Sequence, residues 1–345
     1  ILIEDSKKGW ADSVKTLMQS LYDGQNVYFD YSGIRLEGAR LMTMGGRASG
    51  PQPLVKLHDF IRETMHTSQG RQLTSLEAHD ICNQIAEIVV VGGVRRSSQI
   101  SLSDLHDKDM RQAKEWPYPI KRAMANNSAI YREKPSAAEF LKEWAHLALS
   151  GTGERGIFNL EAAQNKAPSR RYAPLIQGTN PCGEIMLRDM EFCNLSEVVV
   201  RADDDLDTLL DKVECATWLG VIQSSFTDFP YLRDTWKKNC DKECLLGVSL
   251  TGQMDNPSVL SSEALSALKS RVIRISRKAS TILGTRMPTA TTCVKPSGTV
   301  SQLVDSASGV HPRYSQYYIR RYRIAARDPL FTMMKEVGIP CNPEN

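Results

Sequence analysis

Three side chains of complementary chemistry occupy alternate positions in Gly178-Thr179-Asn180-Pro181-Cys182-Gly183-Glu184-Ile185: the amide of Asn180, the thiol of Cys182 and the carboxylate of Glu184. In extended backbone alternate side chains share one face, so this spacing would aim all three at one small target. Pro181 and Gly183 fill the intervening positions. A fixed φ beside a residue without a side chain suits a shaped loop better than a strand centre. A second thiol, Cys193, follows eleven positions after Cys182, in front of the strand-like apolar run 195–200. Amide, carboxylate and two thiols make a credible reaction centre. The alternative on residue types alone is a turn holding a structural cysteine, because free cysteine commonly packs as a small hydrophobe.

Two further stretches offer anion chemistry. Gly92-Gly93-Val94-Arg95-Arg96-Ser97 combines backbone freedom with two forked guanidinium donors for a phosphate, a carboxylate or a base edge; an exposed basic turn reads the same way. Thr289 to Val294 is a β-branched strand candidate, followed directly by Lys295-Pro296-Ser297-Gly298-Thr299-Val300-Ser301. A strand, a Gly/Ser/Thr turn and a helix start can hold a phosphate on backbone N–H groups, or can be an ordinary connection.

These stretches, with Gly45-Gly46-Arg47-Ala48-Ser49-Gly50-Pro51 and Asn126-Asn127-Ser128, occur in the order and character of the catalytic chains of ribonucleotide reductases. The chain most resembles the adenosylcobalamin-dependent class II branch, of the monomeric ribonucleoside-triphosphate reductase kind. The resemblance implies a ten-stranded α/β barrel with a central finger loop carrying Cys182, and one catalytic domain over residues 1–345. It implies a thiyl radical on Cys182, Glu184 as general base for the 3′-hydroxyl, Asn180 holding the ribose hydroxyls and Cys193 supplying reducing equivalents. Substrate phosphates would sit at Pro296, Ser297, Gly298, Thr299, Val300 and Ser301, with Ala48 and Ser49 lining the same cavity. The loop Gly92 to Ser97 would carry base specificity under a deoxynucleotide or ATP effector. Adenosylcobalamin is the implied radical source, and no metal site of the chain's own is implied. The alternatives are a class I type chain, activated by a ferritin-like metal subunit, and a non-catalytic or split nucleotide-binding subunit. Implied partners are a ribonucleoside di- or triphosphate, a thioredoxin-type reductant, and a second copy or a radical-generating subunit.

The chain also departs from the family. The thiol that pairs with Cys193 in complete enzymes lies before the first helix expected here, and none of the other cysteines stands at its place. The abrupt Ile1 start and the end after Cys341 lead us to expect flanking segments of a longer polypeptide.

Composition sets the bounds. At 345 residues, with 41% hydrophobic and 24% charged residues, the chain has the make-up of a globular protein. A net charge of +3 is too small to argue for nucleic acid or a membrane surface. No apolar run approaches the ~20 residues of a membrane helix. Eight scattered cysteines suggest reduced thiols and a cytoplasmic setting.

The positioning elements follow from periodicity. Apolar stripes and caps predict helices over 6–22, 54–66, 75–89, 137–149, 206–226 and 261–283. Strands are predicted over 27–31, 99–102, 127–131, 156–160, 245–252, 289–294 and 317–325. This alternation argues for an α/β fold with largely parallel strands. Cys82 is expected in the core of its helix, and Cys240 with Cys244 is not expected to bind zinc, lacking a second pair.

Overall fold

The computed structural model describes residues 1–41, 47–90, 97–322, 324 and 328–342. They form two compact units: residues 1–129, 136–156 and 319–345 in the first, 130–135 and 157–318 in the second.

In the first unit, α1 (Lys7–Tyr22) starts at Ser6, whose side chain accepts the Gly9 N–H. It packs with α2 (Gln52–Thr67) and α3 (Ser75–Val90) around Leu17, Leu54, Leu57, Ile61 and Ile81. The apolar stripe of α1 thus turns inward as its 3.6-residue period demands. His58, fully buried on α2, bonds Ser13 at 3.1 Å and Tyr31 at 2.7 Å, and burial holds its pKa down to about 4. β1 (Gln99–Asp104), α4 (Lys108–Gln112), β2 (Ala125–Tyr131, its last two residues counted in the second unit) and α5 (Ala137–Leu149) follow, and of β3 (Gly156–Asn159) only Gly156 is counted in the first unit. A capping box between Ser136 and Glu139 fixes where α5 begins.

The second unit holds α6 (Leu160–Asn165), the short strands β4 (Gly178–Thr179) and β5 (Met186–Leu187), then β6 (Asn194–Val199), α7 (Leu206–Ser224), α8 (Asp234–Glu243), β7 (Leu246–Thr251), α9 (Ser262–Leu283) and the single turn α10 (Val300–Leu303). The last helix, α11 (Pro329–Glu336), belongs to the first unit. β6 and β7 pair in parallel from Asn194↔Leu246 to Val199↔Thr251. Their apolar faces meet α7 and α9 in a core of Val198, Val200, Leu209, Val213, Val248, Leu268 and Val272. This β6-α7-β7 unit is the α/β arrangement the alternation predicted.

Several expected elements differ. Residues 289–294 run alongside β7 without a full ladder: Val248 pairs with Thr292 as an isolated parallel bridge, and the Cys293 N–H donates to the Val248 carbonyl at 3.1 Å. Pro288 and Pro296 flank this stretch, and proline donates no ladder bond. Residues 27–31 make one bridge, Asp30 to Leu2, and the described part of 317–325 has no regular structure. Among the described residues no sheet closes on itself. Cys82 is exposed, because its place beside Ile81 on α3 turns it off the buried stripe. Cys240 and Cys244 are buried, and no group of three or more metal-ligating side chains stands together among the described residues. No helix there is long and apolar enough to cross a membrane.

Candidate active site

The site is built on the connection between β4 and β5. These strands pair antiparallel, Gly178 with Leu187 and Thr179 with Met186. Between them the chain turns sharply: the Gly183 N–H donates to the Asn180 carbonyl at 2.9 Å, with Pro181 and Cys182 at the corner. Gly183 takes φ +86°, a conformation that costs glycine nothing. The Asn180 side-chain oxygen accepts the Ile185 N–H at 3.0 Å and its backbone N–H reaches the Ile185 carbonyl at 3.1 Å. The alternation expected for extended backbone therefore does not apply. Asn180 closes the loop, while the turn leaves Cys182 exposed at the tip and folds the Glu184 side chain inward to 2% exposure.

Ile185 anchors this loop on β7. A Cβ on Gly247 would come within 2.8 Å of Ile185 Cδ1, 2.6 Å of Leu195 Cδ2 and 3.0 Å of Cys293 Sγ. Only glycine admits those three contacts at once. The cost of any larger residue would fall directly on the seat of the loop.

Cys182, Gly183 and Glu184 line one open cavity with Val294, Lys295, Pro296, Gly309, Val310 and His311. Within it the Lys295 ammonium meets Glu184 Oε1 at 2.7 Å. Glu184 Oε2 is buried and has no hydrogen-bond partner. Burial works against the charge of Lys295, but the hydrogen bond it donates to Glu184 and the negative charge of Glu184, with smaller effects of Cys182 and Cys293, together outweigh it and hold its pKa above the ordinary lysine value.

Two more thiols stand nearby. Burial, and then the charge of Glu184, push Cys193 up to about 11 and Cys293 up to about 12. Both are therefore protonated thiols at neutral pH. That suits transfer of a hydrogen atom or of reducing equivalents better than nucleophilic attack, which needs the thiolate.

The 296–301 turn is organised differently from a row of free hydroxyls. Ser297 is 3% exposed and donates to Glu197, and Ser301 is fully buried and donates to the Ser297 carbonyl. Thr299 and Gly298 remain exposed, and a Cβ on Gly298 would meet nothing within 4 Å. The helix expected after Thr299 is the four-residue α10, so the dipole of a long helix does not operate here. Pro296 lines the cavity and Val300 is exposed.

Ala48 and Ser49 lie in the first unit, where Ala48 bonds Ala39 and Gly38 through its backbone and the Ser49 hydroxyl turns to the Gly50 carbonyl. Gly92, Gly93, Val94, Arg95 and Arg96 lie outside the described residues; Ser97 is half-buried.

Sequence reasoning gave no role to Glu197, Lys295, Cys293 or His311. Glu197 had a visible signal, as the one charged residue in the apolar strand 195–200. Burial raises its pKa.

Residues 93–231 match the family model of the ribonucleotide reductase barrel domain. The chain is 30% identical to the adenosylcobalamin-dependent ribonucleoside-triphosphate reductase of Lactobacillus acidophilus, over 99% of this chain and 51% of the relative. It is likewise 30% identical to that of Lacticaseibacillus paracasei, over 99% and 50%. Among solved structures, a B12-dependent class II ribonucleotide reductase superposes with a TM-score of 0.77 at 27% identity, over 98% of this chain and 52% of the other. The class Id alpha subunit of Actinobacillus ureae matches in fold, with a TM-score of 0.54 at 18% identity, over 98% and 65%. The chain spans about half the length of the curated relatives it matches.

Proposed function

We infer that the chain belongs to the ribonucleotide reductases, and we propose that it is the catalytic barrel part of an adenosylcobalamin-dependent enzyme reducing ribonucleotides to 2′-deoxyribonucleotides. In this reading residues 1–345 form one domain, a ten-stranded α/β barrel whose finger loop carries Cys182. The observation that carries the reading is the convergence on one cavity of an exposed thiol, Cys182, and a buried carboxylate, Glu184, with one oxygen unpartnered.

The chemistry explains the residue types. The ribose 2′-carbon is unactivated, so displacement of its hydroxyl needs a radical at the neighbouring carbon. A thiyl on Cys182 takes the 3′ hydrogen atom, S–H forming as C–H breaks. Glu184 Oε2, which lacks a donor, accepts the 3′-hydroxyl proton as a general base must, within hydrogen-bond reach. The 2′-hydroxyl leaves as water with a proton from the Cys193 thiol, and Cys193 with a second thiol supplies two electrons by forming a disulfide. Asn180, its oxygen engaged with Ile185, offers its NH2 group to a ribose hydroxyl.

The residues present fit adenosylcobalamin. Cys182 is exposed, and Val294, Pro296 and Val310 give the cavity an apolar wall suited to an uncharged nucleoside face. These residues and Gly183 would meet the cofactor's adenosyl end. When bound, the cofactor supplies the radical that Cys182 carries. Triphosphate substrates follow from the activity named for the lactobacillar relatives. The exposed part of the 296–301 turn would bind their phosphates. An effector acting through Gly92 to Ser97, a thioredoxin-type reductant and a cytoplasmic setting belong to the same reading.

The test is deoxynucleotide formation by the complete polypeptide, supplied with each ribonucleoside triphosphate and a dithiol, with and without adenosylcobalamin. Product should require the cofactor and disappear in Cys182→Ser, while nucleotide binding stays within about threefold. Cofactor-independent turnover, or a Ser variant retaining more than about 1% of activity, overturns the reading.

A further inference from the structure

We propose that Lys295 is a positioning residue for Glu184: its ammonium ties down one carboxylate oxygen so that the other faces the cavity as acceptor for a nucleotide hydroxyl. The inference rests on the proposed function and assigns the residue that makes Glu184 competent.

The geometry is specific. Lys295 and Glu184 are separated by 111 positions and meet at 2.7 Å inside the lining of one cavity. Lys295 is itself fixed at its backbone, where its N–H donates at 2.9 Å to the hydroxyl of Ser249, a residue of β7 that is 1% exposed. β7 is the strand on whose Gly247 the finger loop is seated, so loop and lysine share one rigid support. Glu184 Oε2 remains buried without a donor. Leaving a buried carboxylate oxygen unsatisfied carries a desolvation cost. A site built to receive a hydroxyl donor bears that cost before the ligand arrives.

The other titratable groups that feel the charge of Glu184 are Cys193, Cys293 and Glu197 on β6, with Cys182 on its own loop beside the same ammonium and His311 in the cavity lining. Among these described neighbours Lys295 is the cation. Without it Glu184 faces a carboxylate and thiols, with nothing to fix its rotamer. A lysine suits the position better than an arginine would, as a compact charge that engages one oxygen instead of bridging both.

In the complete polypeptide, Lys295→Met should lower kcat at least about tenfold with KM for the nucleotide within about threefold, and Lys295→Arg should recover part of the loss. In the Glu184→Gln background Lys295→Met should add almost nothing, because the residue acts only through Glu184. A rise in KM at unchanged kcat would make Lys295 a phosphate ligand, and multiplicative losses in the double variant would make the two independent; either overturns the proposal. A double-mutant cycle on thermal unfolding reads the pair without turnover: the two substitutions should be non-additive, and additive Tm shifts overturn the pairing. Coupling in that cycle from a wild-type polypeptide that reduces no ribonucleotide would sink the proposed function and leave the pairing standing.

Discussion

Two buried charged groups, one in each unit, are satisfied to opposite degrees. In the first, Arg155 has a side chain 2% exposed and spends its guanidinium on Glu143, the Ser103 hydroxyl and the carbonyls of Asp104 and Leu105. Arg111 bonds the same Glu143. His58 has a partner on each ring nitrogen. In the second, Glu184 is as deeply buried as Arg155 yet leaves one oxygen unpartnered, beside an exposed thiol. A saturated buried network holds a shape; one left unsatisfied at a cavity wall is available for a ligand. Burial alone thus separates nothing here, and the difference lies in which bonds are already made.

That contrast can be broken at either end. The largest effect is expected at the site. Cys193→Ser should remove multiple-turnover reduction by at least about a hundredfold while exchange of tritium from the substrate 3′ position continues, because the proposed function gives the hydrogen abstraction to Cys182. Equal loss of both signals would show that Cys193 is more than a reductant. On the scaffold side, Arg155→Met leaves Glu143 with one guanidinium partner fewer in the interior. Breaking such a pair costs about 3–5 kcal/mol, so denaturant unfolding should shift by that order with nucleotide KM unmoved. A change below about 1 kcal/mol would mean the saturated network contributes little to stability.

Two smaller effects sharpen the comparison. Gly298→Val puts a side chain into open space, so stability should hold while KM rises about tenfold, equivalent to about 1.4 kcal/mol. Unchanged KM would count against the proposal that the 296–301 turn binds phosphates. The smallest effect is a pH signature of the first unit. His58 sits at about 4 in the fold against 6.5 ordinarily. Between those values the unfolded chain carries a proton that the folded chain excludes. Stability from this group is therefore complete above about pH 6.5 and is lost as pH falls towards 4. Thermal melts of His58→Gln across that window should show a flatter pH profile than the wild type.

Local signals were legible wherever one segment decided its own structure. The stripe of Trp10, Val14, Leu17 and Leu21 with Ser6 ahead of it marked a helix that the structure contains. The residues 27–31 and 289–294 looked like strands because β-branched and aromatic residues favour extended backbone; whether a ladder forms depends on a partner that the segment does not contain. Cys82 misled for a related reason, since a thiol is compatible with burial and its neighbours decide which way it turns.

By itself the sequence determined the chemistry available to this protein: an amide, a thiol and a carboxylate around Pro181 and Gly183, a second thiol at Cys193, and a Gly/Ser/Thr turn after Lys295. These are covalent facts of short segments, and no fold is needed to read them. Only the tertiary structure decided what each group faces. It turned the Asn180 side chain to its own loop, buried Ser297 against Glu197, and raised Cys293 beside Cys193. It also brought Lys295 to Glu184 across 111 residues. The physical reason is that hydrogen bonds and ion pairs act over a few ångströms, and distances of that order between remote segments are set by the packing of β6, β7 and α7.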